Sequence, residues 1–415
     1  MAAPSNLPSA IAVTRDCAEG YNNRIGHALP AGISDDLGAM ANWFRDNHNF
    51  ESLFIQKLVP WKRFLSSPNA GHFAIADFLL CGVVGVSVTA NFDCLVEDAA
   101  RILGERDFQS IISEQDLPTP FDHGPHLKVH GCAALNSTRR ETIWCEQQLL
   151  EPITQQRLAR FQNWLTTQFF GRDILVVGFW SDWAYMVNVL IQAIDAIGPR
   201  NVFLVDPSAL NELRDKAPAM WDWANGANIT LHHEQESGAD FLEELRLRFG
   251  RAFIRHVLAQ ASATHAAAFG TPIAGEGVIL GPINDNSLYA LRRDITGATR
   301  SEPVRTKTPN QQQHLIAAIH ARLLELGATY DSHLYSFRGR AIRLVLGGAQ
   351  LMSVLRARYQ TEPPISTMPD DVICVGAVAD PTPGSVVRPA SPPTILRPGL
   401  SGNWITEQAL LAELI

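Results

Sequence analysis

The chain has 415 residues, enough for two or three domains that each bury a core. Apolar residues at 46% and charged residues at 18% exclude a disordered chain, and no apolar run approaches the roughly 20 residues of a membrane span. The net charge of −8 is uneven, −11 over residues 1–250 and +3 over 251–415, which excludes the front half as a non-specific nucleic-acid binder.

The opening MAAPSNLPSAIAVTRDC lacks a basic segment followed by a long apolar stretch, so it does not read as a secretory signal. The expectation is a soluble, cytoplasmic protein. Six cysteines, at 17, 81, 94, 132, 145 and 374, include no C-x-x-C pair. Scattered thiols fit a reducing compartment better than a disulfide framework, and no structural metal is expected.

In chain order, Ala10–Thr14 (AIAVT) reads as a first strand, with helices near 36–46, 51–65 and 71–80. Residues 85–250 then alternate short apolar runs with amphipathic stretches. The runs are Val86–Ala90, Leu127–His130, Ile174–Phe179, Val202–Asp206 and Ile229–His232. Helical stretches lie at 92–103, 151–170, 183–197, 208–218 and 239–249. Alternation of this kind predicts one parallel sheet covered by helices on both faces.

After about residue 250 the pattern changes. Residues 251–268 read as a helix. Thr308-Pro309 opens another, which Gly327 can end. A strand-like stretch follows at 333–345, a helix at 347–359 and a last helix at 404–414. Nine prolines within 361–400 predict an extended arm that supplies no central strand. The expected organisation is an α/β domain over 1–250 and an α+β region over 251–415.

Three strand ends carry polar residues: Asn91 and Asp93 after the first run, His130-Gly131 after the second, and Gly178 with Ser181-Asp182 after the third. Ligands of parallel α/β sheets bind at the carboxyl ends of strands, so these residues form a candidate site. Each also has a local reading. Asn91 and Asp93 suit a turn and helix cap, His130-Gly131 a turn, and Gly178 to Asp182 a tight turn with a cap. His232-His233-Glu234 reads as a solvated turn, and the tryptophans near 180–223 as packing between helices and sheet.

Here the chain resembles the divergent bacterial branch of the SIR2 (sirtuin-like) family. PNAGHFAIADFLLCGVVGVSVTANFDCLVEDAA is similar to its P-N-x-x-H…T-x-N-x-D…E block, LKVHG to its catalytic histidine motif, and DILVVGFWSDW to its later Gly/Ser strand end. NVFLVDPS resembles the strand end beyond, and LPAGISDDLGAMANWF the stretch after the family's first glycine-rich loop. The resemblance covers about residues 10–250.

The resemblance implies a Rossmann-like domain that binds NAD and cleaves its nicotinamide–ribose bond. His130 would be the general base, as suits an imidazole titrating near working pH. Asn91 would orient the ribose and water, and Asp93 would hold the loop or contact the nicotinamide amide. Gly32, Gly178 and Ser181 would approach the cofactor, and Asp206 would accept from a ribose hydroxyl. The family's opening strand and G-A-G-x-S loop would fall on AIAVT and Arg15–Gly20, where Asp16 and Glu19 stand in place of glycines and Arg15 or Arg24 would offset them. The zinc-ribbon cysteines of the deacylase sirtuins are missing. The expected activity is an NAD+ glycohydrolase of anti-phage defence, acting as a homo-oligomer or with a defence-system partner. The alternatives are a degenerate, non-catalytic SIR2-like assembly subunit and, third, an NAD-dependent deacylase.

Overall fold

The computed structural model describes residues 5–30, 32–117, 119–180, 199–226, 228–275, 280, 283–299, 301–305, 309–359, 367–380 and 402–414. Two units emerge, one of Met1–Arg101 with Asp107–Glu243 and one of Ile102–Arg106 with Glu244–Ile415. The division falls between Glu243 and Glu244, ahead of the boundary expected at residue 250. No helix among the described residues is long and apolar enough to cross a membrane.

The first unit opens on a helix where the sequence suggested a strand. Helix α1 spans Ala10–Ile25, with Ser9 accepting from the Ala12 N–H at its start and Gly26 closing it at φ +83°. AIAVT alone suits a strand. The next residues decide, because Val13, Cys17 and Tyr21 are all buried and recur every four positions along one helical face. The proposed counterpart of the glycine loop, Arg15–Gly20, therefore lies inside a helix. Helix α2 (Leu37–Asp46) is capped by Asp36. It packs with α1 and the π-helical segment Phe50–Leu58 around Phe44, Phe54, Trp61 and Trp144.

Helix α3 (Ala70–Cys81) precedes strand β1 (Ser87–Thr89), helix α4 (Leu95–Ile102) and strand β2 (His126–Lys128). β1 and β2 pair in parallel with Ser87 opposite His126 and Thr89 opposite Lys128. After helix α5 (Pro152–Gln168), strands β3 (Ile174–Val177), β4 (Asn201–Val205) and β5 (Thr230–Glu234) form a second parallel sheet in the order β3-β4-β5. The chain is thus α/β with parallel sheets, but among the described residues the single sheet expected over 85–232 is two sheets that share no ladder. Side chains join them instead. Leu158, Phe161 and Leu165 of α5 bury against Leu127 and Val129, and Val88 and Ile174 pack on the same cluster. The helix expected at 183–197, with Ser181 and Asp182, lies outside the described residues.

Between β4 and β5 lie helices α6 (Leu210–Lys216) and α7 (Pro218–Ala224). The two helices expected at 239–249 and 251–268 are one 32-residue helix, α8 (Gly238–Phe269).

The second unit continues with α9 (Asp285–Thr296) and α10 (Gln311–Glu325), the latter capped by Asn310. Strands β6 (Thr329–Asp331), β7 (Leu334–Phe337) and β8 (Arg340–Leu346) follow as an antiparallel meander. The strand expected at 333–345 is divided by Arg338-Gly339, both at positive φ (+51° and +78°), which suits a tight hairpin turn. Helix α11 (Met352–Tyr359), strands β9 (Asp371–Val375) and β10 (Asn403–Thr406) and helix α12 (Glu407–Leu414) complete the unit.

The sheet order is β10-β9-β8-β7-β6, with β9 parallel to both neighbours. This overturns the expectation that 361–400 supplies no central strand. The prolines stop at 369 and resume at 381, and the proline-free DVICV between them is buried at all five positions. Residues 360–366 and 381–401 lie outside the described set.

A buried ionic centre ties α9 to this sheet. The Asp294 carboxylate meets Arg343 at 3.0 Å, His333 Nδ1 at 2.9 Å and the Tyr330 hydroxyl at 2.9 Å. Burial alone would raise its pKa, but Arg343 and His333 outweigh that and hold the carboxyl below its ordinary range.

Ile373 of β9 is 1% exposed, whereas Val378 just beyond the strand is 48% exposed. Ile373→Ala should therefore cost about 2–5 kcal/mol in urea denaturation. Val378→Ala should stay within about 0.5 kcal/mol of the parent.

Candidate active site

Parallel pairing sets the carboxyl ends of β1 and β2 side by side. The alignment continues past the strands, because the Thr89 carbonyl accepts from the Val129 N–H at 3.0 Å. The His130 ring hydrogen-bonds the Ala90 backbone. Asn91 and His130 therefore stand on one edge, as the strand-end argument expects. His130 is 5% exposed, and the Phe92 ring lies 6.1 Å from it. Burial, reinforced by the Arg157 guanidinium and opposed by the Ala90 bond, lowers its pKa to about 4, so the imidazole is neutral at pH 7.

Asn91 is exposed, and its N–H donates to Thr89 Oγ1 at 3.1 Å. It opens on a cavity of about 240 Å³ whose walls include Ser9, Val13, Phe64, Asp93 and Trp144. The first turn of α1 forms one wall, so the cavity faces a helix N-terminus, which carries roughly half a positive charge. Asp16 and Glu19, expected to oppose a phosphate, are not among the lining residues, and Asp16 pairs with Arg63. His130 stands behind Ala90 rather than in the wall itself.

Asp93 follows the local reading. It is buried, and its Oδ1 accepts from the Leu95 N–H at 3.1 Å, which caps α4. Asp206 behaves alike: it is buried after β4 and accepts from the Ser208 N–H at 2.9 Å. Gly178 takes φ +62°, and its N–H donates to the Val205 carbonyl at 2.9 Å, which places it beside Asp206 at the carboxyl edge of the second sheet. Gly32 sits in the turn before α2 at φ +87°. A Cβ there would meet nothing within 4 Å, so backbone conformation is what favours glycine. Neither Gly32, Gly178 nor Asp206 lines the cavity. Ser181 lies outside the described residues.

The structure also brings together a group that the strand-end argument missed. The Lys128 side chain, 0% exposed, donates to the Asp93 carbonyl and to Glu97 Oε1 at 3.0 Å. Its ammonium lies 3.3 Å from Cys132 Sγ and 3.9 Å from Cys94 Sγ, and the two sulfurs are 3.4 Å apart. Ser110 donates to Glu97 Oε1 at 2.7 Å. Burial raises the Glu97 pKa, and Lys128 with His126 more than reverses this, so the carboxylate stays ionised. The signal was present in the sequence: a lysine inside the apolar run LKV, and a glutamate within the apolar face of α4, each need a partner once buried. Cys94, Glu97 and Cys132 hold three donor atoms within 4.8 Å of one another, and the Lys128 ammonium already supplies the cation between them.

Removing one partner of a buried ion pair leaves the other charge uncompensated. Lys128→Met should cost about 3–5 kcal/mol in denaturant unfolding, and adding Glu97→Gln should recover much of that loss. His126, fully buried on β2 beside Ser87, is lowered to about 4, first by burial. As pH falls, the unfolded chain takes up this proton near 6.5, before the folded one does. Stability is therefore complete above pH 6.5 and declines toward pH 4, by up to about 3 kcal/mol for such a histidine. The urea midpoint should drop from pH 7 to pH 5, and His126→Gln should lessen that slope, with buried His130, also lowered to about 4, supplying part of the remainder.

In comparison with known proteins, the chain matches no protein-family model and no curated sequence.

Proposed function

We propose that the first unit cleaves the nicotinamide–ribose bond of NAD+, giving nicotinamide and ADP-ribose with water as the second reactant. The observation that carries this reading is an exposed amide, Asn91, lining a cavity, with a neutral imidazole, His130, directly behind its Ala90 neighbour on the adjacent strand end. The NAD pyrophosphate is anionic, and the α1 N-terminus in the cavity wall brings the positive end of a helix dipole where the family has a glycine loop.

An imidazole titrating near 4 is a weak base. It takes a proton effectively only when the donor has become acidic. That condition arises late, once the departing nicotinamide leaves positive charge on the ribose and its hydroxyls and the attacking water become more acidic. Asn91 then serves to hold the ribose and water in register. Asp93 acts through the backbone, by fixing the start of α4.

One observation favours the second reading, a SIR2-like module that has lost turnover and acts through a partner. Helix α1 occupies the segment where the family places its strand and phosphate loop. NAD+ consumption by the purified chain, alone and with the products of its neighbouring genes, separates the two. Turnover supports the enzyme. Absence of both turnover and calorimetric NAD+ binding in every combination supports the module.

If the enzyme reading holds, His130→Ala should lower the rate about 10²–10⁴-fold while circular dichroism stays unchanged. Asn91→Ala should be similarly damaging. Wild-type turnover by His130→Ala would remove the SIR2-type mechanism. The acid limb of the wild-type pH–rate profile should lie near pH 4, well below the 6.5 of an exposed histidine.

A further inference from the structure

Cys94 directly precedes α4, and Cys132 follows the strand end that carries His130. They lie 38 residues apart in sequence, and their sulfurs are 3.4 Å apart. Both are buried, at 7% and 2% exposure. The Lys128 ammonium stands on one side of the pair, closer to Cys132 than to Cys94. A thiolate is stabilised by an adjacent ammonium and by a hydrogen bond from a neighbouring thiol, and Cys132 has both.

We propose that Cys94 and Cys132 form an oxidisable pair that closes to an intramolecular disulfide under hydrogen peroxide, cross-linking the loop that carries Asn91 to the loop that carries His130. In the first step the Cys132 thiolate attacks a peroxide oxygen and the O–O bond breaks. Cys132 becomes a sulfenic acid, and hydroxide leaves. In the second step Cys94 sulfur attacks the sulfenic sulfur, the S–O bond breaks and the S–S bond forms. The hydroxyl leaves with the Cys94 proton as water. Two thiols lose two electrons, and one peroxide is reduced to two waters.

The division of roles follows from the surroundings. The hydrogen bond from Cys94 and the charge of Lys128, acting against burial, bring the Cys132 thiol down to about 6. The same bond, with burial, raises Cys94, which keeps it as the resolving thiol. Closure needs the sulfurs to approach from 3.4 Å to about 2.05 Å. The other cysteines are poorer nucleophiles. Burial pushes Cys17 and Cys374 up to about 12, burial also raises Cys145, and the Cys81 thiol donates to Asp77.

A metal would draw on the same donor atoms. It would have to displace a fully buried ammonium that already lies within reach of all three, which favours the disulfide.

The test uses the whole chain and requires no NAD+, so it stands apart from the proposed activity. Reduced protein is treated with hydrogen peroxide in the folded state, then unfolded and alkylated. The cross-linked peptides are identified by mass spectrometry without reduction. Free thiols should fall from six to four, a peptide joining Cys94 to Cys132 should appear, and dithiothreitol should restore all six. In Cys94→Ser, Cys132 should instead be trapped as a dimedone adduct. The wild-type map stands even if that variant does not fold.

Six thiols surviving peroxide would overturn the proposal. So would a cross-link through any other residue, a Lys128–Cys132 linkage included. One equivalent of zinc retained through dialysis, with both thiols protected from peroxide, would overturn it in favour of a metal site.

Discussion

The Lys128 ammonium is the charge on which the front unit is organised. Moving an ammonium and a carboxylate out of water costs several kcal/mol per ion, and only close, well-satisfied geometry returns that cost. Here the returns come from four places at once: Glu97 in α4, the Asp93 carbonyl in the loop before it, and the two cysteine sulfurs. Because these partners belong to both strand-end loops, one buried charge fixes how those loops sit. The cavity wall at Asn91 and Asp93 and the placement of His130 inherit that arrangement.

The candidate site therefore depends on groups that do not line it. Asp93 and Asp206 look like ligand contacts from their strand-end positions, yet both turn inward to accept backbone N–H groups. A short carboxylate directly after a strand serves the chain before it serves a ligand, because the next helix or turn begins with unpaired donors. Asn91, one residue past Ala90 and exposed, has no such obligation through its side chain among the described contacts. His130 lies between these cases. Its ring is anchored to the backbone at Ala90, and burial together with Arg157 keeps it neutral, which removes its charge without removing its proton affinity altogether.

Much of the fold was legible, and the failures share a cause. The runs at 86–90, 127–130, 174–179, 202–206 and 229–232 all appear as parallel strands, because strand composition and helix alternation agree there. AIAVT misled because five β-branched and small residues carry no period. Only the longer spacing of Val13, Cys17 and Tyr21 shows the helix. DVICV was hidden by averaging proline content over a window much longer than a strand. At the site, the strand-end positions of Asn91 and His130 could be read locally. The Lys128–Glu97–Cys94–Cys132 group could not, because it joins residues from separate segments through the pairing of β1 with β2. A lysine in an apolar run announces that a partner exists without saying which one.

Strand β9 also bears on how the second unit is made. The meander β6–β8 is local and can form as soon as its hairpins close, whereas β9 must cross α11 to reach β8, and β10 lies further on still. Parallel pairings of such high contact order are slow, because the intervening chain must be ordered before any ladder bond rewards it. Until β9 arrives, β8 presents Ile342, Leu344 and Val345, which the finished sheet buries, along an open edge. On a nascent or truncated chain that edge is a template for pairing between molecules. Between synthesis of residue 346 and docking of residue 371, β8 therefore stands as an edge open to self-association.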